Sequence, residues 1–142
     1  MTRMGIRGTR RAALLVRSVL VVAAVSVAVV GCGGGDDDGD DAAELEDAVR
    51  AYTEAFFAPD PDAAYDLLSA RCRETIDEEA YTTTLEDGAG RYGELTVESF
   101  TVEEMDGGAA RVTYGVGEPE IDQQLLAQPW TREEGGWRWD AC

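Results

Sequence analysis

Residues 95–116 read LTVESFTVEEMDGGAARVTYGV. Leu95 and Val97 alternate with Thr96 and Glu98, and the period of two continues through Phe100 and Val102 toward Glu104. That alternation predicts a strand with one buried face. Asp106-Gly107-Gly108 then supplies residues that tolerate positive φ, and Ala110, Val112, Tyr114 and Val116 share one face of the returning strand. A β-hairpin is expected, and it makes the second half of the chain antiparallel sheet.

Working outward from the hairpin, the carboxy-terminal side ends in Trp130 to Arg132, a turn at Glu133 to Gly136, and Trp137-Arg138-Trp139. Trp137 and Trp139 fall on one side and Arg138 on the other, which predicts a second hairpin whose tryptophans lean on the other layer. Residues 118–128 join the two hairpins. Gln123, Gln124, Leu125 and Leu126 suit either an edge strand or a short irregular connection, and a strand is expected.

On the amino-terminal side the period is helical. Leu45, Val49, Tyr52 and Phe56 recur at intervals of three and four, with Phe57 widening the stripe. Ala58-Pro59-Asp60-Pro61 ends that helix. Asp60 then caps a second one through Ala64, Tyr65, Leu67 and Leu68 to about Arg71. A third helix is expected from Asp77 through Tyr81 and Leu85 to a stop at Gly88. Helices followed by an antiparallel meander make an α+β domain.

Charge divides the chain of 142 residues sharply. Arg3, Arg7, Arg10, Arg11 and Arg17 precede Cys32, and every acid follows it. From Cys32 onward seven arginines face 29 acids, a formal net charge of −22. A surface of that sign repels phosphate backbones, so nucleic acid is set aside as a partner. The chain has neither lysine nor histidine. The commonest general base and the commonest transition-metal ligand are therefore missing, and no metal or cofactor is expected.

Residues 1–17 are basic, and Ser18 to Val30 (SVLVVAAVSVAVV) is an apolar run of about a dozen residues, too short for a permanent span of roughly twenty. Val29-Val30-Gly31-Cys32 resembles the lipobox of bacterial lipoprotein signals. The resemblance implies cleavage between Gly31 and Cys32 and a diacylglycerol on the Cys32 thiol. The first lipobox position is usually leucine, so Val29 departs from the pattern. The alternatives are an ordinary secretory signal or an uncleaved anchor, and Arg10-Arg11 also allows twin-arginine export. Gly33 to Asp41 (GGGDDDGDD) has the composition of a disordered tether and lacks the alternate spacing of a calcium loop. The expected organisation is a signal peptide over 1–31, a lipidated cysteine and tether over 32–41, and one extracytoplasmic domain over 42–142.

Ala48-Val49-Arg50-Ala51-Tyr52-Thr53-Glu54-Ala55-Phe56, then Asp62-Ala63-Ala64-Tyr65-Asp66-Leu67-Leu68-Ser69, then W-x-R-x-x-G-G-W-R-W from Trp130, resemble the nuclear transport factor 2-like superfamily, which includes SnoaL-like proteins. The chain also resembles short secreted lipoproteins of high-GC actinobacteria. The superfamily resemblance implies a cone, with helices packed on a curved antiparallel sheet. It says little about activity, because that fold hosts enzymes, binding modules and dimerisation domains.

With Cys32 lipidated, Cys72 and Cys142 form an even pair in an oxidising compartment and are expected to join; two free thiols are the alternative. Tyr52, Tyr65, Tyr114, Trp130, Trp137 and Trp139 are candidates for a pocket, the other reading being that they close a small core. For an enzyme, the resemblance implies chemistry inside the cone with carboxylates, tyrosines and often histidine, the last of which this chain lacks. Tyr52, Tyr65, Tyr81, Tyr114 and a carboxylate such as Asp66 or Asp122 are the candidate equivalents here, yet no catalytic motif assigns any of them, so no catalytic residue is named.

The expected function is a non-catalytic binding or interaction domain, lipid-anchored at the cell membrane on its extracytoplasmic side. Its partner would be an envelope protein or a small apolar ligand, with homodimerisation if the open sheet face is apolar. The alternative is a small isomerase, dehydratase or hydrolase acting on an apolar molecule with a buried carboxylate.

Overall fold

A computed structural model describes residues 37–142. The expected signal segment, the expected cleavage site, Cys32 and the expected tether up to residue 36 lie outside the described residues. Helix α1 spans Asp37–Phe57. Leu45 and Val49 on its periodic face are fully buried, and Tyr52 nearly so. The helix begins inside the expected tether, so residues 37–41 are helical rather than disordered. Two effects favour the early start. Carboxylates at a helix amino terminus complement its dipole, and Arg132 pairs with Asp41 and, at 2.7 Å, with Glu44.

The second expected helix is two. Helix α2 (Pro61–Asp66) has the Asp60 carboxylate accepting from the Ala63 N–H, and α3 (Ala70–Thr75) has Ser69 Oγ accepting from the Cys72 N–H. Between them the chain leaves the helical path to meet the last strand: Trp139 N–H donates to the Leu67 carbonyl at 2.9 Å, and Ser69 N–H donates to the Trp139 carbonyl at 2.8 Å. Long-range pairing overrides local propensity there, and Leu68 between the two bonds is fully buried.

Helix α4 (Glu78–Tyr92) starts at the expected Asp77 cap but runs four residues beyond Gly88. A Cβ at Gly88 would lie 3.3 Å from a ring carbon of Phe56, so this glycine serves close helix packing. The stop is Gly93, at φ 76°. Thr82, Thr83 and Thr84 lie within the helix despite their branched side chains, each hydroxyl donating to the carbonyl four residues back.

Strands β1 (Ser99–Asp106), β2 (Ala109–Gly115), β3 (Gln128–Glu133) and β4 (Gly136–Trp139) form one antiparallel sheet in the order β1-β2-β3-β4. The first strand starts later than its alternation implied and carries a bulge between Val102 and Glu104. Residues 118–128 are not the expected strand. They hold a short helix, α5 (Pro119–Asp122), followed by turns leading into β3. Pro119 fixes the helical φ at its first turn, and the Asp122 carboxylate accepts from the Val116 N–H at 2.7 Å, folding the segment back on the end of β2.

The inward face of the sheet carries Val112, Tyr114 and Trp130, which pack on the helices. The opposite phase carries Thr101 paired with Thr113, Thr131 paired with Arg138, and Arg111. These residues are polar, so the apolar open face that dimerisation called for is not what the sheet presents. Cys72 of α3 and Cys142 are joined by a disulfide, with Cα atoms 5.5 Å apart.

Candidate functional site

The helical stripe of α1 is wider than a small core can cover, and its surplus opens onto a cavity of about 360 Å³. Tyr52, Thr53, Phe56 and Phe57 of α1 form one wall, and Tyr81 and Thr84 of α4 a second. Tyr114 of β2 and Trp139 of β4 come from the sheet. Ile121, Gln124 and Leu125 close it from the α5 segment, with Gln128 and Ile76 at the remaining edges. Six of these side chains are aromatic and none carries a charge.

The rings hold one another in place. Tyr52 stacks on Trp139 with centroids 5.6 Å apart and meets Trp130 in a T-shaped contact at 5.9 Å. Phe56 meets Phe57 at 5.0 Å and Tyr81 at 6.2 Å in tilted, edge-on contacts. Such geometry satisfies the ring quadrupoles and leaves little rotamer freedom.

Polar groups punctuate the wall. The Tyr81 hydroxyl donates to the Tyr52 hydroxyl at 3.0 Å. Burial raises the Tyr52 phenol well above its ordinary value, with the neighbouring Tyr81 adding to the effect. Burial likewise pushes Tyr81 up to about 12, against a smaller lowering by its bond to Tyr52. Tyr114 is raised by burial too, opposed in part by the Thr53 hydroxyl. All three therefore stay neutral phenols at ordinary pH, able to donate or accept hydrogen bonds. Gln128 Oε1 accepts from Trp139 Nε1 at 3.2 Å, while its Nε2 donates to the Gln124 carbonyl at 2.7 Å. Those bonds fix the indole and tie the α5 segment to the cavity rim.

Of the six residues expected at a pocket, Tyr52, Tyr114 and Trp139 line this cavity, while Tyr65, Trp130 and Trp137 do not. Tyr65 uses its hydroxyl on the carbonyls of Arg73 and Ile76. Trp130 and Trp137 fill the core, 1% and 2% exposed, and their indole nitrogens have no hydrogen-bond partner among the described residues. Trp137 also contributes to a shallower notch beside Glu44, Asp47 and Arg138. Asp66 is exposed, and Asp122 holds the Val116 N–H, so neither carboxylate faces the cavity.

The amphipathic period signalled Phe56 and Tyr81, whereas Gln124, Leu125 and Gln128 reach the site only through the α5 turn. Cys72, Asp140 and Cys142 bring ligand-type atoms within 4.8 Å of one another. The two sulfurs are bonded to each other, however, and Asp140 is paired with Arg71 at 3.0 Å, so the cluster is a tail anchor. Among the described residues no helix is long and apolar enough to cross a membrane. No protein-family model matches this chain, and no curated protein matches it either.

Proposed function

We propose that the chain is a lipid-anchored extracytoplasmic protein whose folded domain, a cone of the nuclear transport factor 2-like type, binds a small apolar molecule without transforming it. The observation that carries the binding part of this reading is the aromatic cavity of about 360 Å³ between the helices and the sheet. Its volume lies within the range of small-molecule sites, and its lining combines apolar walls with a few convergent hydroxyls and amides. The enzyme alternative needs a carboxylate able to take or give a proton at the substrate. The cavity offers neutral phenols and amides instead, which suit recognition.

Titration with the neutral fluorophore N-phenyl-1-naphthylamine tests the binding reading. Saturable enhancement that Leu125→Trp abolishes, with an unchanged circular dichroism spectrum, is the expected result. No saturable binding, or binding indifferent to the bulky substitution, overturns it. The anchor has its own test. Intact mass of membrane-extracted protein should fit cleavage before Cys32 plus acyl chains, and Cys32→Ala should leave the detergent phase. An unacylated full-length mass refutes lipidation.

A further inference from the structure

Two properties of the molecule act on the same ligand. The cavity wall is built from six aromatic rings, and no lining side chain bears a charge of either sign. Outside it the segment from Cys32 carries seven arginines against 29 acids. Arg50, Arg71, Arg91, Arg111 and Arg132 each lie within ion-pair distance of a carboxylate, spending their charge locally. Most acids are left over, and the field they sum to is negative. An anion entering the cavity would meet that field with no cationic group to receive it. A weakly hydrated cation meets the opposite: enrichment at the surface, then a wall rich in aromatic rings, whose quadrupoles attract positive charge.

Resting on the reading of the cavity as a ligand site, we infer that its ligand class is the hydrophobic organic cation, an alkylated ammonium group carrying an apolar body. The phenols fit this class. Kept protonated by burial, Tyr52, Tyr81 and Tyr114 present neutral rings and oxygen lone pairs, and the volume accepts a head of trimethylammonium size with a ring attached. A compact, strongly hydrated cation such as sodium is not favoured, because the wall holds no carboxylate to replace its water.

The test is competition against bound N-phenyl-1-naphthylamine by benzyltrimethylammonium and by neopentylbenzene, which has the same shape with carbon in place of the charged nitrogen. The cation is expected to displace the probe at a concentration at least tenfold lower than the neutral isostere in low salt. That margin should shrink as salt screens the field, and Phe56→Leu should narrow the ratio between the two compounds severalfold, whatever it does to the affinity of each. Direct calorimetry of the cation with Leu125→Trp separates the cavity from the acidic surface, and binding should be lost.

Equal or better displacement by neopentylbenzene overturns the cation inference and leaves the cavity reading standing. Cation binding that persists undiminished in Leu125→Trp also overturns it, as condensation on the surface. Failure of the fluorophore itself to bind removes the cavity reading and the inference together.

Discussion

At the scale of single residues, Tyr52 and Tyr81 tie the cavity to stability. Both are acids whose folded pKa lies above the ordinary value of 10.0, Tyr81 near 12. Below pH 10 folded and unfolded chains alike hold these protons, so the phenols contribute no pH dependence there. As pH rises from 10 through 12 the unfolded chain sheds protons that the folded one retains, and stability falls. A thermal melting series should show this alkaline drop in the native protein and a smaller one in the Tyr52→Phe/Tyr81→Phe double variant; equal slopes would assign the drop elsewhere. Ser69 is the second decisive residue. It is fully buried, caps α3 through the Cys72 N–H and donates to Asp140 Oδ1 at 2.6 Å. Ser69→Ala should cost about 1–2 kcal/mol, read as a fall in Tm of about 4–8 °C per kcal/mol for a domain of this size. Its capping role was hidden in the sequence, where the period of α2 ran straight through it and only the approach of Trp139 breaks the helix.

At the scale of elements, local chemistry was legible wherever both halves of a signal lay close together. The β1–β2 hairpin follows from alternation and Asp106-Gly107-Gly108, and the caps at Asp60 and Asp77 follow from residue type. The β3–β4 turn is a two-residue connection with Glu134 at φ 52° and Gly135 at φ 82°. Both central positions are left-handed, which costs a residue such as glutamate more than asparagine or glycine. Glu134→Asn should therefore stabilise by about 0.5–1 kcal/mol, seen as a higher urea midpoint with an unchanged slope. An unchanged or lowered midpoint would show that the turn carries no such strain. The α5 segment illustrates the opposite case. Its glutamines and leucines fit strand or turn equally well, and the choice rests on Pro119 and on the reach of Asp122 to Val116.

For the whole molecule, the Cys72–Cys142 bridge closes a loop of 70 residues and ties the last residue to α3. The chain-entropy model gives roughly 4 kcal/mol for a loop of this length. Arg71 donates to the Asp140 and Cys142 carbonyls at 2.7 and 3.1 Å and holds the same tail without it. Cys72→Ser/Cys142→Ser should lower the urea midpoint markedly while the far-ultraviolet spectrum stays native; loss of that spectrum in water would make the bridge a condition of folding. Self-repulsion of the excess acids is a second global term. Raising salt from about 0.05 to 0.5 M should raise Tm as screening shortens, and a flat response would show that the ion pairs already balance it. The sequence by itself determined the α+β class, the order of helices before sheet and the acidic surface, because period, turn chemistry and charge are properties of neighbours along the chain. Only the tertiary structure decided which aromatics close the core and which line the cavity, where the second helix breaks, and that residues 118–128 turn back to wall the site. Each of those outcomes depends on groups far apart in sequence meeting at van der Waals or hydrogen-bond distance, and no local pattern encodes that meeting.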